Sequence, residues 1–509
     1  MLVARSVAYS PHMLFLLPSL ACTPPDPDAS DKPRDPVDSG EPVGPLVLEP
    51  GDVADLDVAE DGAVSVDLAQ DGSYILVLFS TAEAEGTFYG YGDHAGDEAR
   101  AIPGDPLPPT PEIATVSSFD VGDLRTFSVW NGNRSVTIEA EATQITGAVV
   151  LWEDRTTPNE IGSVDATVLE GVLESFEDII LVRERQIFGQ ESDVDGGGQI
   201  DLLLSYTVNQ YGPVAYVTWC DIGAENGCGR SGNGSEVIYL GIPDPDSSYS
   251  SVNGISETVA HELNHLIYAW HKYILNDQAD ASENIYLTEG MSALAQDLTG
   301  YNNGNQYVWG AALDGVEVYG NEDASVQGLS INDFLRGDGY YDEERDGTLR
   351  GGAYLFLRYL FEQAGGFEVK RSGELVDAGG MAWVQSWFDA PELGPDAVVA
   401  TTGKDVIDVA EDWYTALVVT GRVENDNPAW NYQERVEDPL TGYEFGIDPF
   451  DTIHGWWELT GPRVQTMADA DGQIRAGGVE YLQAELAAGV FTLASDPDAA
   501  IRARILRVD

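Results

Sequence analysis

Basic residues are scarce in this chain: 25 Lys and Arg stand against 87 Asp and Glu, a formal net charge of −62. Such a balance repels phosphate backbones and anionic headgroups, so nucleic acid and anionic membrane are excluded as partners. Cysteine is scarcer still, at 3 in 509 residues, which excludes a disulfide-dense scaffold. Two of the three, Cys220 and Cys228, do not make a zinc knuckle at their spacing. Past the first 22 residues there is no run of about 18 apolar residues, and so no candidate spanning helix. No internal repeat is present, which excludes a solenoid.

What remains, 43% hydrophobic and 22% charged, supports a large core divided into two to four domains. Residues 1–22 read as a lipoprotein-type signal, with Arg5 in the leader, an apolar stretch from Met13 to Leu17, and Ser19-Leu20-Ala21-Cys22 before a polar tail. Residues 23–45, rich in proline and aspartate, read as a disordered tether. The expected address is the bacterial cell envelope or surface, through a lipid anchor on Cys22, with plain secretion as the alternative. With Cys22 carrying lipid, Cys220 and Cys228 are left to pair as a disulfide; without export they are free thiols.

Three of the six histidines fall within eleven residues, and His261-Glu262-Leu263-Asn264-His265 is an HExxH pattern. On a helix, four residues make slightly more than one turn, so both imidazoles share a face and can grip one zinc ion. Glu262 flanks that face and is placed to act as general base toward a metal-bound water. Asn253 or Ser256 is expected to cap this helix, and Val259, Leu263, Leu266, Ile267 and Trp270 fall at spacings suited to burial. An ordinary amphipathic surface helix is the bland alternative.

A catalytic zinc takes three protein ligands and keeps one open position. His271 has the spacing of a third histidine in the pattern HExxHxxGxxH, but Tyr268 stands where that pattern needs a glycine to break the helix. A helix continuing through Tyr268 points His271 away. Glu289 is the other candidate. Thr288 is a suitable N-cap, so that Glu289 opens a second amphipathic helix striped by Met291, Leu294, Ala295 and Leu298. Judged alone, Glu289 is equally an ordinary first-turn acid.

The run Thr258-Val259-Ala260-His261-Glu262-Leu263-Asn264-His265-Leu266-Ile267, followed by Tyr286-Leu287-Thr288-Glu289-Gly290-Met291-Ser292, resembles the gluzincin clan, most closely the hyicolysin-type zinc metalloproteases. Stretches around Phe188–Leu204, Gly352–Phe361 and Glu411–Leu417 follow the family's order. The resemblance implies that Glu289 is the third ligand, that the cofactor is Zn2+ and that proteins or peptides are the substrates. Two positions depart from it. Ala293 stands where many gluzincins carry an acid that orients the first histidine, leaving Asp297 and Ser292 as options. Arg350 stands where relatives often have a tyrosine, so the donor for a tetrahedral oxyanion must come from Tyr354, Arg350 or Tyr340/Tyr341, with Tyr354 the expectation. A buried helix aromatic is the alternative for Tyr354.

Asp193, Asp195 and Asp201, with Gly198 between them, imitate a calcium loop. Gly197 and Leu204 stand where two further acidic ligands are required, so a glycine-rich turn is the favoured reading and a low-affinity Ca2+ site the other. Ser235–Ile242 alternates as a strand and is a candidate edge for extended peptide.

The expected fold class is α+β: a zincin-like catalytic domain over 151–424, flanked by a β-sandwich over 46–150 and a C-terminal β-rich domain over 425–509. Helices are expected near 168–187, 254–273, 289–299, 350–363 and 405–420. The expected activity is zinc-dependent endopeptidase; the rival is a surface-anchored β-rich binding protein whose protease-like domain is inactive.

Overall fold

Two larger sheets and a set of helices between them organise the chain. The computed structural model describes residues 44–83, 88–91, 119–158, 161, 163–212, 214–223, 232–245, 247–276, 283–302, 306–314, 329–336, 346–453, 457–467 and 472–509. The expected signal and tether with Cys22, and also Cys228, Tyr340 and Tyr341, lie outside the described residues. Pro45–Asp509 is one compact unit of mixed α+β structure.

The first sheet has six strands, in spatial order Leu124–Trp130, Ser135–Ile145, Val149–Asp154, Ile200–Leu204, Val237–Leu240 and Ala215–Tyr216. The first three form an antiparallel meander, the next two continue in parallel, and Ala215–Tyr216 closes antiparallel. Ile200–Leu204 and Val237–Leu240 are buried throughout, as expected of strands covered on both faces. Helices Ala166–Ser175 and Leu181–Ile187, joined through the π-helical segment Phe176–Ile180, lie on the crossover between Val149–Asp154 and Ile200–Leu204. The strand at Val237–Leu240 is interior: Tyr239 and Leu240 already pair with Tyr216 and Ala215, so the edge passes to 215–216.

The separate β-sandwich over 46–150 does not form. Its later strands belong to the six-stranded sheet, and its earlier ones join a five-stranded sheet ordered Val53–Leu56, Ile501–Arg507, Gly72–Ser80, Val479–Leu486 and Val464–Thr466. The boundary at 425 therefore does not separate a domain either. The physical reason is Gly72–Ser80, where every residue after Gly72 is buried. A strand so apolar needs partners on both edges. Ile501–Arg507 and Val479–Leu486 supply them, antiparallel on either side.

Three helices position the site. Val252–Tyr268 begins at Ser251, whose hydroxyl accepts from Gly254 N at 3.1 Å, in place of the expected Asn253 or Ser256. It buries Ile255, Val259, Leu263, Leu266 and Ile267 and runs on into the π-helical segment Ala269–Leu275. Ile285–Thr299 begins at Asn284, whose carboxamide accepts from Tyr286 N at 2.9 Å. Thr288 thus sits inside this helix rather than capping it, and Glu289 lies in its second turn. The third helix is Asp346–Gln363. It packs so closely on the second that a Cβ at Gly290 would stand 2.7 Å from Ala353 Cβ and 2.9 Å from Tyr354 N. Glycine beside Glu289 is thus a packing requirement.

Candidate metal centre

His261 and His265 project from the same face of Val252–Tyr268 toward Glu289 on the neighbouring helix. His261 Nε2 lies 3.1 Å from Glu289 Oε2 and 3.1 Å from His265 Nε2, and His265 Nε2 lies 3.5 Å from Glu289 Oε1. Donors about 2.0–2.2 Å from a tetrahedral ion stand roughly 3.3–3.5 Å from one another. The three side chains thus already hold the mutual spacing of one small cation's ligands. Two imidazoles and a carboxylate form a donor set suited to zinc.

Each imidazole is held by its other nitrogen. His261 Nδ1 is 3.2 Å from Gln296 Oε1, and Gln296 Nε2 donates to the Glu257 carbonyl at 3.0 Å. His265 Nδ1 is 3.0 Å from Ser292 Oγ, which in turn donates to Asn264 Oδ1 at 3.4 Å. Both networks leave Nδ1 as the donor and Nε2 as the atom offered to a metal. Of the two positions read from sequence for this task, Ser292 serves and Asp297 does not. Asp297, fully buried, accepts instead from Tyr354 at 2.9 Å and from Arg358, locking the second helix to the third. Gln296 was missed. It lies seven residues beyond Glu289, two helical turns along the same face, and that periodicity was the available signal.

Tyr354 is not at the site. Its ring is 1% exposed and its hydroxyl is committed to Asp297, so the expected oxyanion donor proves to be a buried helix aromatic. Arg350, one turn earlier, faces the cleft and ion-pairs with Glu289 through Nη1. Burial alone would raise the Glu289 carboxyl, but Arg350 and the two histidines outweigh it and hold Glu289 well below the usual carboxylate range. Glu262 is buried, and desolvation leaves its carboxyl above the ordinary value against the opposing pull of His265 and His261. A carboxylate of raised pKa is a better proton acceptor at neutral pH.

His271 is elsewhere. The helix does not break at Tyr268, and His271 instead meets the Gln190 carbonyl at 2.9 Å and Asp389 at 3.2 Å. Asp201 is also not where a calcium loop would need it: its carboxylate takes Arg125 at 2.6 Å, Ser235 Oγ at 2.7 Å and Trp152 Nε1 at 2.7 Å. Cys220 is disulfide-bonded.

The three metal-facing side chains and Glu262 open into a cleft of about 750 Å³. One wall comes from the segment that carries the edge strand, with Tyr211, Val214 and Trp219 exposed by 45%, 46% and 49%. Tyr249, 46% exposed, stands before the first site helix. No protein-family model matches the chain, and no curated protein matches it significantly.

Proposed function

We propose that the protein is an exported zinc-dependent endopeptidase with a zincin-like catalytic region of gluzincin type. The observation that carries this reading is the convergence of His261 Nε2, His265 Nε2 and the Glu289 carboxylate within 3.5 Å, with Glu262 beside them in one cleft. His261, His265 and Glu289 would hold the ion. Zinc bound there would lower the pKa of a coordinated water and polarise the scissile carbonyl.

The remaining work falls to the chain's own residues. Glu262 accepts the proton from the attacking water and delivers it to the leaving amine, a task its raised carboxyl suits. Arg350 is the cation nearest the ligand carboxylate, which supports it as the group that takes up charge on the carbonyl oxygen. The exposed edge at Ala215–Tyr216 supports strand-like docking of an extended peptide, and Tyr211, Val214 and Trp219 favour apolar side chains on it.

The test is metal analysis of the purified full-length protein followed by a casein cleavage assay. The expected result is about one zinc per chain, with cleavage abolished by a chelator and restored by zinc. Zinc held without hydrolysis of casein or of a peptide library would overturn the enzymatic reading in favour of a binding protein.

A further inference from the structure

A second group of oxygen ligands lies where the loop 193–198 enters the six-stranded sheet. Strand register gives that loop a different partner from the one its sequence suggests: Asp201 is occupied by Arg125, and Glu236, the residue before Val237–Leu240, takes its place. Carboxylate oxygens of Asp193, Asp195 and Glu236 all lie within 4.8 Å of one another. Opposed ligands of a calcium ion, each at about 2.3–2.6 Å, span roughly 4.6–5.2 Å.

Charge makes the arrangement conspicuous. Asp195 and Glu236 are only 5% and 1% exposed. Among the described residues none of the three carboxylates pairs with a lysine, arginine or histidine. Backbone amides account for one oxygen of each: Val194 N donates to Glu236 at 3.0 Å, Gly197 N to Asp195 at 2.8 Å and Gly198 N to Asp193 at 2.9 Å. Amides do not offset the removal of two carboxylates from water. An independent observation points the same way. Ser192, 4% exposed, faces the Glu236 carboxylate, and its hydroxyl makes no hydrogen bond to any described group.

We propose that Asp193, Asp195 and Glu236, with the Ser192 hydroxyl, form a structural site for a divalent cation of the calcium class. An all-oxygen donor set suits a hard cation and not zinc, so this site and the histidine cluster select different ions. The cation would tie the loop preceding Ile200–Leu204 to the start of the parallel strand Val237–Leu240. Its effect is on stability and not on bond cleavage.

The experiment is thermal unfolding of the zinc-loaded full-length protein with and without millimolar CaCl2, alongside calcium titration by calorimetry. The expected result is one calcium bound per chain and a melting temperature raised by several degrees. Glu236→Gln and Asp193→Asn should both abolish the rise while zinc content stays unchanged. Asp193 is exposed, so its variant keeps the test open should Glu236→Gln fail to fold. The absence of any calcium-dependent rise would overturn the proposal. So would a rise of equal size in wild type and Asp193→Asn, since that would be general screening of a strongly acidic surface.

Discussion

Gln296 Oε1 sits 3.2 Å from His261 Nδ1 while the same side chain's Nε2 donates to the Glu257 carbonyl. The second bond fixes which end of the carboxamide faces the imidazole, so Gln296 must accept, and His261 must carry its proton on Nδ1. Replacing Gln296 by leucine removes the acceptor while retaining bulk. Zinc affinity should fall by ~10–100-fold, the range for losing such a partner, and Gln296→Glu should restore it. Competition against a chromogenic chelator reads this without any assay of activity. Unchanged affinity in Gln296→Leu would show that packing alone holds the ring.

Glu262 is a separate case, because it lines the same cleft without standing among the three converging ligand atoms. Glu262→Gln should therefore retain zinc and lose ~10²-fold or more of kcat, as expected when a proton acceptor is removed. Metal analysis and casein cleavage on one preparation settle both halves. Normal cleavage by this variant would remove Glu262 from the mechanism.

These residues differ in how far the sequence disclosed them. The histidines and Glu262 lie within one local spacing rule, and helical geometry alone brings them together. Glu289 lies 28 positions from His261, so its place depended on likeness to a family rather than on spacing. Ser292 and Gln296 follow Glu289 at three and seven residues on one helical face, whereas Ala293 and Asp297, one step further round, turn toward Asp346–Gln363. Reading that helix as capped by Thr288 concealed which face met the histidines, since Asn284 and Thr288 are both good caps and tertiary packing chose between them. The strand pairing was opaque for a different reason. Leu78 faces Glu480 and Ala503 in the folded sheet, and nothing in a strand's own alternation names a partner some 400 residues away.

Glu480 gives the sheet between the chain's two ends a pH signature. Burial raises its carboxyl to about 8, only partly offset by Arg463 and Gln465, against an ordinary value of 4.5. The folded chain thus keeps a proton that the unfolded chain releases, so this group's stabilising contribution is full below pH 4.5 and is lost as pH rises toward 8. Glu480→Gln removes that dependence. Its melting temperature should match wild type near pH 4.5 and exceed it by roughly 2–4 °C at pH 9. A constant offset across the whole range would place the effect in packing rather than ionisation.

Deleting residues 426–509 asks whether the catalytic region is a domain in its own right. The deletion strips both neighbours from Gly72–Ser80 and exposes a strand whose side chains are buried from Ser73 to Ser80. It also removes Arg504, which bridges Asp55 at 2.8 Å and Asp412 at 3.0 Å, and Tyr481, whose hydroxyl donates to the Tyr414 carbonyl at 2.8 Å. Asp412 and Tyr414 lie on helix Val406–Val419, inside the core that also contains the site helices. The truncated chain should therefore be insoluble or lack a cooperative thermal transition, because an unpaired apolar strand is an aggregation template. A soluble, zinc-loaded fragment with a sharp transition would show instead that the sheet between the termini is an accessory, and that the metal centre is supported by the six-stranded sheet and its helices alone.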